Sequence, residues 1–590
     1  MQSVTTVLEP AWFFADESGL PLKIAEILAL GVGGQWLAKR FRIPGVLLLL
    51  LAGILVGPVF GIIRPEEDFG SEVLFPIVGL AVGLLLYEGG LGLKLDRLTN
   101  GKGVILRLVT VGALVTWLIG WATIAMLFDV STGAASLIAA ILVVSGPTVV
   151  IPLLHLARPR EPTGSILRWE GIVIDPIGAT LAIVVLDVVS NDAEPAAAAL
   201  QIAVTLGAGA IAGIVVAAAA MFALHKHIVP DQLLNPAMLA AAVAAYAIAN
   251  QIAPEAGLMA TTMLGLVLAN QKLVPRSQLT AFSEDVGHLI LGTLFIVLGA
   301  LVNLDDLLAV LPRALILIAV LVFIARPFAV WISTLGAGLA LKDRQFLAWM
   351  APRGIVAASV ATVFSNTLAE GSEPVPELVP VVFATVIVTV AIYGLSSTWV
   401  AKKTRVAKIE PNGIALASNN PFVVDLADLL SRNDVPVLVV STSESVRRKS
   451  FRAGVLAYDK PLDSDDLDLA LDGVGIKSAV LISDDENFAA LASHHLTDHL
   501  GRANIYQVKP DDSDNFEPRG RNAFGALTFF RLQAGVREGG FFEVDGGELE
   551  ENDRALFYLN DDGTTSFVSE TPTAQDRVIA VHRPSSSNGI

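Results

Sequence analysis

The chain contains no cysteine, which excludes disulfides and thiolate metal sites. Charge is scarce as well: 16% of the 590 residues are charged, where a soluble protein carries roughly 25%. The eight histidines show no metal-ligand spacing. His494, His495 and His499 fall on one helical stretch with no partner cluster and read as a solvated surface. No zinc motif appears, and no serine–histidine pair lies within an apolar run, so enzyme chemistry is not expected. The net charge is −17, with the acidic excess near the C-terminus, as in "DSDDLDLALDG"; that argues against a nucleic-acid partner.

Apolar sequence is abundant. Hydrophobic residues make up 53% of the chain and the mean hydropathy is +0.63. They come in runs of about 18 to 28 residues, the length of a membrane-crossing helix. About thirteen spans are expected, near residues 20–38, 44–63, 73–92, 104–127, 134–156, 166–189, 197–224, 233–251, 256–270, 286–303, 311–338, 345–369 and 377–401. The first apolar run lacks the flanks of a cleaved signal and is expected to stay as a helix. From about Lys402 the composition turns soluble, giving a membrane domain over residues 1–403 and a soluble part after it.

Basic residues mark alternate loops: Lys39, Arg40 and Arg42; Lys94, Arg97 and Lys102; Arg158, Arg160 and Arg168; Lys226; Lys272 and Arg276; Lys342 and Arg344; Lys402, Lys403, Arg405 and Lys408. By the positive-inside rule these loops are cytoplasmic. An odd number of spans then places the N-terminus outside and the soluble tail in the cytoplasm. The expected location is the inner (plasma) membrane.

Ionisable residues inside spans are functional candidates, because burying a charge in lipid is costly. Asp175 lies about ten residues into the run "WEGIVIDPIGATLAIVVLDVV", roughly 15 Å along a helix. Glu170 precedes it by five positions, Asp187 follows near the outer end, Glu88 sits in "LLLYEGGLGLKL", and Arg353 in "WMAPRGIVAAS". Two spans are interrupted, by Gly146 and Pro147 in the fifth and by Pro352 and Gly354 in the twelfth. Broken helices at matching positions of two halves point to a transporter site between inverted repeats. A desolvated carboxylate such as Asp175 can be shared in turn by a proton and a monovalent cation, which suffices for exchange. An ion pair between Glu170 and Arg353 would let both charges persist there.

The stretches "RIPGVLLLLLAGILVGP", "LLLYEGGLGLKLDRL", "LFIVLGALV" and "PRGIVAAS" resemble the bacterial NhaP-type sodium/proton antiporters, of the monovalent cation/proton antiporter group, over residues 20–403. The resemblance implies a thirteen-helix homodimer of the NhaA-like antiporter fold, with a moving core domain working as an elevator. It carries the essential aspartate over to Asp175 and the paired glutamate and arginine to Glu170 and Arg353. Ser145 stands in for the family's threonine. Gly146, Gly171 and Ile174 replace an expected aspartate, serine and asparagine. Cation ligands then reduce to Asp175, the Ser145 or Thr148 hydroxyl, freed carbonyls and water. Such a set makes K⁺ at least as plausible as Na⁺, and one carboxylate favours electroneutral exchange.

In the tail, "IALAS", "PVLVVST", "GVLAY", "SAVLIS" and "NIYQV" alternate with helical segments, the signature of a parallel sheet. Residues 411–510 resemble the Rossmann-like nucleotide-binding half of potassium-transport regulatory domains (RCK or TrkA-N type). The phosphate-binding glycines are absent from "ASNNPFVVDLADLL", and Ser441 and Thr442 stand where a ribose-binding acid is expected. The usual contacts for a nucleotide are therefore missing. A different ligand near Asn419 and Asn420 stays open, as does a dimerising or gating scaffold. Residues 511–590 read as a small β-rich appendage. Cation/proton antiport is the first functional reading; the alternative is a channel-like potassium efflux system gated by the tail, for which no filter sequence appears.

Overall fold

The computed structural model describes residues 19–582 apart from 42, 96–100, 192–194, 274–275, 371–374, 408–411, 463–465, 511–515, 545–548, 550–552, 560–564 and 568–576. The first 18 residues of the expected membrane domain and the last eight of the expected appendage lie outside these. The chain divides into two compact units, Met1–Ala407 and Lys408–Ile590.

The first unit is helical: α1 (Leu20–Phe41), α2 (Gly45–Ile54), α3 (Pro65–Phe69), α4 (Ser71–Leu91), α5 (Lys102–Arg107), α6 (Ala113–Leu127), α7 (Thr132–Ile141), α8 (Pro147–Ala157) and α9 (Thr163–Asn191). It continues through α10 (Pro195–His225), α11 (Leu234–Ile252), α12 (Ala256–Ala269), α13 (Arg276–Ala300), α14 (Leu304–Val320), α15 (Arg326–Ser333), α16 (Leu341–Trp349), α17 (Ile355–Glu370) and α18 (Leu378–Lys403). Single π-helical turns join α5 to α6 and α14 to α15, so each pair runs on as one long helix. Among the described residues, eight helices are long and apolar enough to cross a membrane. Shorter apolar helices cover Gly45–Val59, Thr132–Ile141, Pro147–Ala157, Ala256–Ala269 and Val356–Ser365. The α1 helix is less apolar because it carries Lys23, Glu26, Lys39 and Arg40.

In lipid, helices are held by close packing rather than by exclusion of water, so small residues mark their crossings. A side-chain carbon at Gly53 of α2 would come within 2.9 Å of the Gly299 Cα of α13. One at Gly265 of α12 would lie 3.0 Å from the Gly90 Cα of α4. Backbone thus meets backbone, and any larger residue at these crossings would push the helices apart.

Helices are interrupted at two glycine- and proline-containing stretches. The α7 helix ends at Ile141 and α8 restarts at Pro147, which occupies its first position and needs no hydrogen-bonded N–H there. Gly146 before it is extended, at φ −75° and ψ 151°, as a residue preceding proline prefers. The second break runs between Trp349 and Ile355.

The second unit opens with a six-stranded parallel sheet of order β3-β2-β1-β4-β5-β6. Its strands are β1 (Gly413–Ala417), β2 (Val437–Val440), β3 (Ala457–Tyr458), β4 (Ile476–Leu481), β5 (Ile505–Gln507) and β6 (Arg521–Asn522). Its helices are α19 (Val423–Arg432), α20 (Glu444–Ala453), α21 (Asp466–Val474) and α22 (Glu486–Leu500). After α23 (Phe529–Glu538), an antiparallel sheet of order β7-β10-β8-β9 follows, built from Phe541–Val544, Asp553–Leu559, Thr565–Phe567 and Arg577–His582 in chain order.

The boundary expected at residue 510 does not separate two cores. The parallel sheet takes β6 from beyond it. Ile414, Phe422 and Val439 share one apolar cluster with Phe529, Phe557 and Ile579.

Candidate functional site

The two breaks cross each other. A side-chain carbon at Gly354 would lie 2.6 Å from the backbone nitrogen of Gly146, so neither position tolerates one without movement. Asp175, on α9, lies directly against this crossing. A carbon at Gly146 would come 3.1 Å from its Oδ2 and 3.3 Å from its Oδ1. Gly171, one helical turn earlier, lets α9 approach the first break closely, with Val150 and the Ser145 carbonyl nearest to it.

Asp175 is wholly buried, at 0% exposure. Neither of its carboxylate oxygens has a hydrogen-bond partner among the described residues, and the same holds for the buried Thr148 hydroxyl. Buried polar atoms are nearly always partnered, so three orphaned oxygens on adjoining elements call for an explanation. Because α8 and α17 both start at the crossing, their N-terminal amides and the positive ends of their dipoles are there as well.

The sequence-based pairing of Glu170 with Arg353 does not form. Glu170 is instead paired with Arg326 of α15, whose two Nη atoms each donate to one carboxylate oxygen, Nη2 at 2.9 Å. Arg326 Nε donates to the Leu347 carbonyl at 2.9 Å, in the last turn of α16 before the second break. Arg353 donates through Nη1 to the Val143 carbonyl at 3.1 Å, just past the end of α7. Its backbone N–H donates to Thr389 Oγ1 of α18 at 3.2 Å. Each arginine therefore satisfies a carbonyl beside a break.

Sequence reasoning missed Arg326. The signal was present, as an arginine inside the apolar run "LILIAVLVFIARPFAVW". A small recess of about 20 Å³ lies beside the pair, lined by Thr116, Ser145, Glu170, Ile174, Arg326 and Arg353 among others, with room for about one water molecule. Ser145 and Ile174 place it next to Asp175, which is not part of its lining.

The other candidates make separate contacts. Glu88, on α4, packs against Gly287 of α13, where any side chain would collide with its carboxylate. Asp187 is half-buried near the end of α9. His499 approaches Asp472 at 3.4 Å.

At the end of β1 in the second unit, Asn419 Oδ1 accepts from the Ser441 hydroxyl at 2.9 Å and from Thr442 N and Oγ1 at 3.0 and 3.1 Å. Asn420 N–H donates to Ser418 Oγ and Phe422 N–H to Asn420 Oδ1, while the next amides close turns onto the loop's own carbonyls. The Asn420, Phe422, Val423 and Val424 amides, at the start of α19, are thus already engaged.

A buried acid at the crossing of two broken helices, inside a polytopic helical bundle, is the arrangement of a membrane transporter. The comparisons with known proteins agree. The description "Sodium/hydrogen exchanger, transmembrane" matches residues 27–403, more than half of the chain, and the chain belongs to that family. The Na⁺/H⁺ antiporter 1 of Methanocaldococcus jannaschii is 24% identical over 363 residues, 59% of this chain and 84% of that protein. The K⁺/H⁺ antiporter NhaP2 of Shewanella sp. (strain MR-4) is 27% identical over 63% of this chain, and the match spans 64% of that relative, just under two thirds. In fold the chain is similar to the solved sodium proton antiporter MjNhaP1 of M. jannaschii, with a TM-score of 0.58 at 21% identity. That match covers 65% of this chain and 98% of the other. The protein is thus a multi-pass monovalent cation/proton antiporter.

Proposed function

We propose that Asp175 is the shared site, and that each cycle exchanges one monovalent cation, K⁺ or Na⁺, for one proton. The observation that carries this is the Asp175 carboxylate, fully buried, unpartnered and set against two crossing breaks. An ionised carboxylate alone in that place is strongly disfavoured. The site therefore moves across the membrane only when loaded, by a proton or by a cation that also takes Ser145, Thr148 and break carbonyls as ligands. Gly146 supplies no second acid, which supports electroneutral exchange. With few fixed oxygens the site cannot replace the full shell of a strongly hydrated ion, which supports K⁺ as a substrate alongside Na⁺.

The glycine-packed crossings of α2 with α13 and α4 with α12 support a rigid scaffold against which the helices bearing the breaks move as an elevator. Counting α1 and the short helices with the eight long ones, and each broken pair as one span, supports the thirteen-span reading with two inverted repeats. The alternation of basic loops supports a cytoplasmic tail and an outside N-terminus. A homodimer is the assembly implied by the resemblance. The 3-2-1-4-5-6 strand order supports a Rossmann-like tail domain, and its self-bonded first loop favours a gating or dimerising role over nucleotide sensing.

The test is exchange in proteoliposomes with an internal pH dye, challenged by K⁺, Na⁺ or Li⁺. Asp175→Asn is expected to abolish the response to all three while the protein still purifies folded. Exchange at the unmodified rate in that variant would refute the assignment.

A further inference from the structure

Residues 408–590 carry 30 acidic and 17 basic side chains, a net charge of −13. Against that background α20, with the sequence ESVRRKSFRA, gathers Arg447, Arg448, Lys449 and Arg452 within six positions. Two of the four are tied down at the flanks: Arg447 donates to the Asp459 carbonyl at 3.0 Å, and Lys449 pairs with Asp425 at 2.7 Å. Arg448 and Arg452 are exposed, four positions apart and so on one face, with Arg448 held only loosely by Glu444 at 3.6 Å. Between them Phe451 is 88% exposed, the highest value among the exposed large hydrophobic residues of the described chain. The helix ends at Gly454, in the left-handed conformation at φ 71°, which turns Val455 inward and leaves Leu456 62% exposed at the entry to the edge strand β3.

A water-exposed phenylalanine flanked by two exposed arginines has the chemistry of an interfacial anchor. The ring enters the boundary between headgroups and acyl chains while the guanidinium groups meet phosphates. The unit as a whole is acidic and would be repelled by an anionic bilayer, so this basic face would lead an approach. The nine residues between Lys403 and Gly413 tether the unit to a membrane protein, which makes the encounter intramolecular.

We propose that the tip of α20, formed by Arg448, Phe451 and Arg452 with Leu456, docks on the surface of an anionic phospholipid bilayer. The proposal relies on the cytoplasmic placement of the tail given above, since anionic lipid is enriched on that side. Docking would make the position of the tail, and through it the exchanger, responsive to anionic lipid content and ionic strength.

The absence of cysteine makes the test direct. Ala453→Cys leaves the anchor intact and takes a single polarity-sensitive label on the full-length protein in nanodiscs, where both bilayer faces are accessible whatever the sidedness in cells. With phosphatidylglycerol present, the label should shift to an apolar emission and be quenched by spin-labelled lipid, and pure phosphatidylcholine should give neither effect. Arg448→Ala with Arg452→Ala should weaken docking about 25-fold, at about fivefold per basic side chain, and Phe451→Ala should weaken it independently. Equal signals in the two lipids, or no effect of the double substitution, would overturn the proposal. So would a shift that persists in lipid-free detergent and tracks cross-linking between labelled copies, because the partner would then be a second copy of the chain.

Discussion

Gly354 and Gly146 touch through their backbones, so that a side-chain carbon on Gly354 would stand 2.6 Å from the Gly146 nitrogen. Real side-chain carbons do not approach a backbone atom that closely, so any other residue at Gly354 must pry the two broken spans apart. The Asp175 carboxylate rests on the same crossing and its surroundings would shift too. Gly354→Ala is expected to lower exchange at least about tenfold, the order of loss that follows a small misplacement of reacting groups. Purification yield should change far less than rate. An alanine variant with normal exchange in proteoliposomes would mean that the crossing is not part of the machinery.

The proposed competition of proton and cation for Asp175 carries a definite sign of pH dependence. Lowering the pH fills Asp175 with protons, so a cation must displace one to bind. The apparent KM for the cation should rise as pH falls, by up to about tenfold per pH unit while the protonated form dominates. The limiting rate at saturating cation should move much less. A KM flat between pH 6 and 9, with all the variation in the limiting rate, would place the pH response outside the shared site.

Much of this arrangement was legible beforehand because it is local. Runs of apolar residues announce spans, and glycine or proline within them announces the breaks at 146–147 and 352–354. An acid with no polar neighbour announces Asp175. The partner of Glu170 was not local: Arg326 lies 156 positions away, and only the packing of α9 against α15 and α16 selects it over Arg353. The resemblance carries the pairing to Arg353, yet the first break leaves the Val143 carbonyl for Arg353 to satisfy. The sixth strand escaped notice for a different reason. Arg521 and Asn522 are exposed and show no apolar alternation, so only their pairing with Tyr506 and Gln507 makes them a strand.

The Glu170–Arg326 pair can be separated from Arg353 by double-mutant cycles on thermal stability. Removing one partner of a buried ion pair strands the other charge and costs about 3–5 kcal/mol. Arg326→Gln and Glu170→Gln should each destabilise strongly, and the double variant should recover much of the loss. The coupling of Glu170 to Arg353 should be smaller, because the Arg353 guanidinium donates to the Val143 carbonyl instead. A larger coupling to Arg353 would mean that the pairing seen here is not the one that stabilises the protein.

The tail domain offers a last expectation, in the opposite direction. Its strand order is the one that holds dinucleotides elsewhere, at the turn after the first strand. In this chain that turn contains Pro421, which has no N–H, and the Asn420 and Phe422 amides are spent on Ser418 and Asn420 side chains. Asn419 meanwhile fastens the turn to Ser441 and Thr442, where a ribose would need an acid. A phosphate could enter only by breaking several hydrogen bonds, each with a net value of about 1 kcal/mol, and it would find no glycine to admit it. Millimolar NADH or ATP should therefore leave the thermal transition and the exchange rate of the full-length protein unchanged. Asn419→Ala, by contrast, should lower the transition of the tail without conferring a nucleotide response. A saturable stabilisation by either nucleotide would show that the loop opens, and that the hydrogen bonds described here belong to a closed state of a sensor.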